Sequence, residues 1–200
     1  MQSRINGQKI KEYHDSFLSN SHWPKKDLIN SNDELFFWIG TNHFYNTSLW
    51  DEEYLARRVD VDDSSIAGNK REIDFFNQNR NDAIEKIDES ILLMLEAIVP
   101  EVGAWHNCET AGSIIDRLSI SSLKIFNMSI QSNRKDISEE DIAIAKFKAD
   151  QLKTQRDDLL KSFDNFFEAL IDGKAFYKIY RQHKMYNDSK MNPYLSGLKS

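Results

Sequence analysis

Apolar residues in this chain recur at steps of three and four, the period of a helix face. Nowhere do four or more residues alternate apolar and polar as a half-buried strand would. Ser31 and Glu34 form a capping box ahead of Leu35-Phe36-Phe37-Trp38-Ile39, which predicts a helix over 32–58 that stops in the acidic turn Val59 to Ser64. The next predicted helix starts after Ser64 or Ser65 and runs to Pro100 on a stripe that includes Ile66, Ile73, Ile84, Ile87 and Ile91. Residues 100–110 read as a loop, and Thr110 caps a third long helix to about Asn133. Ser138 and Asp141 cap a fourth, which ends near Gly173. Shorter helices are predicted near Ile5–Leu18 and Phe176–Lys184. The expected fold is all-α, a single domain over 1–200 with four long helices and short N- and C-terminal ones.

Polar residues interrupt these stripes. In the last long helix the spacing 142, 145, 149, 152, 156, 159, 163 places Arg156 in the apolar row, and Asn77 and Arg80 fall in register with Ile73, Ile84 and Ile87. On the first long helix Ile39, Asn42, Asn46, Trp50, Glu53 and Arg57 share an arc of about 80° at 100° per residue. The 111–133 helix is apolar on nearly every face, which predicts a central buried helix, yet it carries Asp116, Arg117 and Lys124. Its start, Thr110-Ala111-Gly112-Ser113, offers free backbone N–H groups and a glycine that admits close approach of an anion. Buried charge must be paired or bound. Either Glu53, Asp116 and Glu109 neutralise Arg57, Arg80, Arg117 and Arg156 in a structural network, or the basic surplus, with Lys124, waits for an anionic ligand.

Charge and composition narrow the classes. Hydrophobic residues at 40% and aromatics at 12% exclude disorder, and seven Gly with three Pro disfavour turn-rich β folds. The net charge of −6 argues against nucleic-acid binding. A single cysteine, Cys108, points to a reducing, cytoplasmic compartment. The N-terminus has no signal-peptide core, and no apolar run is long enough for a membrane span. The acidity lies in the first hundred residues, whereas 174–200 is basic and rich in tyrosine. That segment is expected to dock on the acidic half of its own domain.

No metal or cofactor motif is present. None of the five histidines follows a Glu by three residues, and His-x-x-x-His, Walker and Gly-x-Gly-x-x-Gly patterns are absent. His106 and Cys108, two apart in a loop, have weak spacing for a nucleophile and base.

The run Glu109-Thr110-Ala111-Gly112-Ser113-Ile114-Ile115-Asp116-Arg117-Leu118-Ser119-Ile120, continuing to Leu123-Lys124-Ile125, resembles the uncharacterised bacterial family known as domain of unknown function 4254. Leu49 to Glu53, Ala56-Arg57-Arg58, and Arg181 to Asp188 with Asn192-Pro193 resemble it as well, in the same order. This chain departs from the family at Ala111 and Ser189, where proline is usual. The resemblance implies no established activity. It does imply neighbourhood with cell-envelope glycosyltransferases, hence a glycosyltransferase partner and a sugar nucleotide among the ligands to consider.

Two expectations follow. The first is a metal- and cofactor-independent protein that binds a phosphorylated or otherwise anionic small molecule, whether or not it is an enzyme. Asn46, Trp50, Arg57, Arg80, Gly112, Arg117, Lys124, Arg156, Arg181 and Lys184 would hold the ligand, with Glu53 or Asp116 as general base. The second is a non-catalytic helical adaptor whose polar cluster is structural and whose C-terminal segment docks a partner enzyme. A homodimer through Trp23, Phe36 or Phe37 is compatible with either.

Overall fold

Each long helix starts at a side-chain cap. The Asp33 carboxylate accepts from Phe36 N (3.2 Å) and opens α2, Glu34–Leu55. Asp62 caps α3, Asp63–Met94, through Ser65 N (2.8 Å). Thr110 caps α4, Ala111–Ser132, and Ser138 caps α5, Glu139–Ile171. Asn6 caps the shorter α1, Gly7–Leu18. The computed structural model describes residues 5–195 and 197, so Ser196 and residues 198–200 of the C-terminal segment lie outside the described residues. The all-α reading holds, with five α-helices and two strands of two residues each among the described residues.

Three expected boundaries move. Helix α2 is capped by Asp33, not Ser31, whose hydroxyl turns back to Asp33 O (3.1 Å). Helix α3 ends at Met94, six residues before Pro100, because β-branched Ile98 and Val99 before a proline favour extended backbone. The predicted helix over 176–184 is absent. Gly173, at φ +72°, turns the chain out of α5. Ala175–Phe176 (β2) then pairs in parallel with Trp105–His106 (β1), and Trp105 N and Asn107 N donate to Lys174 O and Phe176 O. The aromatic and β-branched run Phe176-Tyr177-Lys178-Ile179-Tyr180 suits that extended path better than a helix.

Helices α2 and α3 lie along each other as one hairpin, α4 and α5 as a second, and α1 packs on α4 and α5. Ile10, Ile39, Ile87, Ile91, Ile115, Leu118 and Phe163 from all five helices meet in one core with no exposed surface. Each such side chain contributes about 1.5–3 kcal/mol by leaving water. Trp23, Phe36 and Phe37, read from sequence as exposed aromatics, are instead half-buried. Trp23 stacks on Phe17 (4.3 Å), Phe36 meets Tyr13 edge-on and Phe37 meets Trp38.

The two hairpins approach closely at Gly112. A Cβ there would lie 2.7 Å from Ile84 O and 2.9 Å from Asp88 Oδ1. The Gly112 N–H donates to that same carboxylate oxygen at 2.7 Å. The α4 N-terminus expected to receive an external anion is therefore occupied by Asp88. Gly112→Ala should destabilise the fold by about 1–3 kcal/mol through overpacking. Gly68→Ala, in α3 with nothing within 4 Å of its Cβ, should stabilise it by about 1 kcal/mol. Denaturant melts of the two variants check the pair; equal effects would refute the close packing at Gly112.

Candidate functional site

The arc predicted on α2 forms one wall of a cleft. Asn46, Leu49, Trp50, Glu53 and Tyr54 line it from α2, Ile73, Asn77 and Arg80 from α3, and Ile120 and Leu123 from α4. Arg57 lines it from the turn just past Leu55, where the helix stops short of the expected Arg58. Its volume is about 470 Å³, inside the range of small-molecule sites.

Behind Asn46 and Arg80 sits the Asp116 carboxylate, nearly sealed from solvent at 10% side-chain exposure. Its Oδ1 accepts from Asn42 Nδ2 (2.8 Å) and Asn46 Nδ2 (2.9 Å), and Arg80 Nε lies 3.9 Å away. Asn42 and Asn46 reach the same oxygen because they stand one helical turn apart. Among the described residues Arg80 has no hydrogen-bond partner, although its Nε is shut off from solvent. The indole N–H of Trp50 is equally buried and also lacks an acceptor.

From Asp116 a polar seam crosses the core. Asn46 also donates to Ser119 Oγ (3.0 Å), which meets His43 Nδ1 (2.8 Å), and the His43 ring stacks on His14 at 4.7 Å. Beyond lies Arg156, bonded to Asp15 Oδ1 (2.9 Å) and Ser122 Oγ (3.1 Å). Asp116, Ser119 and Ser122, each three residues on from the last, are the α4 steps of this seam. Ser119, His43 and His14 were missed as members. The readable signal was the row of small polar residues in an otherwise apolar helix.

The expected site residues separate into groups. Asn46, Trp50, Glu53, Arg57 and Arg80 share the cleft, with Asp116 at its back. Arg117 and Lys124 are exposed, not buried, and line an adjoining groove of about 600 Å³ with Glu109 and Asp158. Helix α4 thus leaves one face open to solvent. Gly112 is bound by Asp88 as described. Arg156 contacts Ser122, which is about 160° around α4 from Lys124, on the α1 side of the core. Arg181 docks on α3, with Glu85 (2.6 Å) and Glu89, and Gln182 N donates to Glu85 as well. Lys184 lies farther along that strap, half-buried.

The charge count changes too. Arg57 pairs with Glu53, Arg117 with Glu109 (2.7 Å), Arg80 with Asp116, and Arg156 with Asp15, a carboxylate left out of the sequence count. Four arginines meet four carboxylates, and the basic surplus in this set reduces to Lys124. Among the described residues no cluster of three or more His, Cys, Asp or Glu is placed to hold a metal. The His106 ring, near Cys108, is stacked on Phe176 (4.9 Å) and bonded to Tyr180 OH (3.2 Å).

The family described as "Protein of unknown function (DUF4254)" matches residues 37–179, well over half of the sequence. The chain belongs to this family. The DUF4254 match spans α2 to β2 and so contains every residue of the cleft. The run Arg181–Asp188 and Asn192-Pro193, which resembled the family in sequence, falls outside the matched stretch. No curated protein and no solved structure matches this chain. No described helix is long and apolar enough to cross a membrane.

The seam makes stability depend on pH. Burial holds His14 and His43 neutral, helped by the Arg156 charge at His14 and by His14 itself at His43; His14 is pushed down to about 3. Below the ordinary 6.5 the unfolded chain binds protons that the folded chain refuses. Stability is therefore lost as pH falls from 6.5, by up to about 1.4 kcal/mol per unit for each ring. Burial raises Asp88 to about 6, against hydrogen bonds from Thr110, Gly112 and Tyr177. Its contribution runs the other way, growing as pH falls from about 6 toward 3.8. Two rings outweigh one carboxyl. Between about pH 7 and about pH 5, His14→Leu should lose roughly 2 kcal/mol less stability than the wild type, measured by denaturant melts. Equal losses would show that His14 is not held neutral.

Proposed function

We propose that this protein binds a phosphorylated or otherwise anionic small molecule in the cleft between α2, α3 and α4. The observation that carries this reading is the pair of unmatched donors there. Among the described residues Arg80 Nε and Trp50 Nε1–H are buried without an acceptor, in two side chains that line the cleft. Asp116 Oδ1 already accepts from two amides and Glu53 Oε2 from Arg57. Buried donors left unmade cost about 1–3 kcal/mol each, so the ligand that suits this wall is rich in acceptors.

Arg80 then receives the anionic group, Arg57 stands at the mouth, and Arg117 and Lys124 raise the local potential from the next groove. Asp116, oriented through Oδ1 by Asn42 and Asn46, and Glu53 are the groups available as general base if the bound molecule reacts. Sugar nucleotides, with a role in cell-envelope glycan synthesis, belong to the ligand class this reading admits.

A second reading, a helical adaptor, draws on the ion pairing of Arg57, Arg117, Arg156 and Arg181. It draws also on Met185, Tyr186, Met191 and Tyr194, each more than 60% exposed beside the basic strap.

A thermal-shift panel of sugar nucleotides, sugar phosphates, nucleotides and small dicarboxylates separates the two. A ligand near a hundred times its Kd adds about 2.7 kcal/mol, or roughly 5–11 °C at this chain length. Arg80→Gln should abolish the response with the fold intact. Arg156→Gln should cost about 3–5 kcal/mol of stability and leave the response in place. Silence across the panel, or a response that survives Arg80→Gln, favours the adaptor.

A further inference from the structure

A second trough opens across Trp50 from the cleft. Trp50 and Tyr54 line both, and the trough of about 430 Å³ continues between α4 and α5 past Lys124, Lys148, Gln151 and Gln155. Of these four only Lys124 was singled out by sequence, because Lys148, Gln151 and Gln155 look like ordinary surface residues of α5.

Their chemistry is specific as a set. Lys124 and Lys148 have neither an ion pair nor a hydrogen bond among the described residues, so two like charges border one largely apolar trough without a counter-ion. The amides of Gln151 and Gln155 are likewise uncommitted, and each offers a donor and an acceptor side by side. Trp50 and Tyr54, with ring centres 6.0 Å apart and planes at 57°, supply π-faces. Tyr54 is 58% exposed and reachable from solvent.

An alkyl chain would use the apolar wall and waste the amides. A bare sugar would engage the amides and leave the two lysines without an anion. A flat heteroaromatic ring uses both, its faces on the aromatics and its polar edge on the amides, while attached phosphoryl groups answer the lysines. We infer that this trough seats the ring of a nucleoside phosphate, whose phosphoryl groups run past Lys124 and Lys148 toward Arg80. The inference rests on the anion-site reading, and it adds a ring-binding subsite with Gln151 and Gln155 as the residues that read the ring's edge.

The test is calorimetric titration of the full chain with three probes: uridine 5′-monophosphate, ribose 5-phosphate and inorganic phosphate. The wild type should bind the nucleotide at least about tenfold more tightly than ribose 5-phosphate. The double variant Gln151→Ala, Gln155→Ala, with both changes to a good helix former on an exposed face, should bring the two within about twofold. Lys148→Gln should weaken both esters. Adenosine 5′-monophosphate repeats the comparison with the other ring class. Equal binding of nucleotide and ribose 5-phosphate by the wild type, or a nucleotide preference that survives the double variant, overturns the subsite. If phosphate binds in an Arg80-dependent way while no nucleotide preference appears, the subsite falls and the anion site stands. If none of the probes binds, both fall.

Discussion

The buried carboxylate of Asp116 is the constraint around which the rest is arranged. A carboxylate taken out of water must be compensated by hydrogen bonds and opposite charge, or it shifts toward its neutral form. Here two amides from one helix and a guanidinium from another converge on it. The two amides fix α2 against α4, because two side chains of fixed length must reach one oxygen, while Arg80 adds opposite charge from α3 without a hydrogen bond. The cleft is the space left in front of this cluster, where the walls return to Leu49, Ile73, Ile120 and Leu123.

Helix existence was legible because its causes are local. The caps at Thr110 and Ser138, the stripe of α5 and the stop at Gly173 all act within a few residues, and they appear where the spacing put them. The strap after Gly173 was not legible, since its extended path depends on β1, 70 residues upstream, and on Tyr177, whose hydroxyl donates to Asp88 O. The arc Asn46, Trp50, Glu53, Arg57 was readable from period alone and shares one wall. Arg156 was readable as a buried charge, but its partner Asp15 lies 141 residues away on α1. Gly112 shows the same limit. The sequence displays a helix start with room above it, and only the fold shows Asp88 filling that room.

Two uses of buried polarity coexist in this DUF4254 protein. On the α1 side of α4, Arg156 is paired and two neutral histidines stack, an arrangement that favours one packing of the core over its alternatives. On the α2 side, donors remain unmatched at a wall that solvent can reach. The same helix carries both, with about 120° between Asp116 and Ser122. The seam through Asn46, Ser119, His43 and His14 joins the two sides, so substitutions at its ends are expected to couple rather than add.

The two-residue pairing of β1 with β2 reaches further than its size. Glu101 N is tied to Gly173 O, Trp105 N to Lys174 O, and Asn107 N to Phe176 O, while Tyr177 is pinned to α3. The loop that leads into α4 and the segment that leaves α5 are stitched to each other at three points, and Tyr177 ties the second of them to α3. Opening the clasp breaks these bonds together, so the bonded amides of Glu101, Trp105 and Asn107 are expected to share their protection. The start of α4 is next to that clasp. A disturbance at the end of the chain thus reaches the central helix without crossing the hydrophobic core.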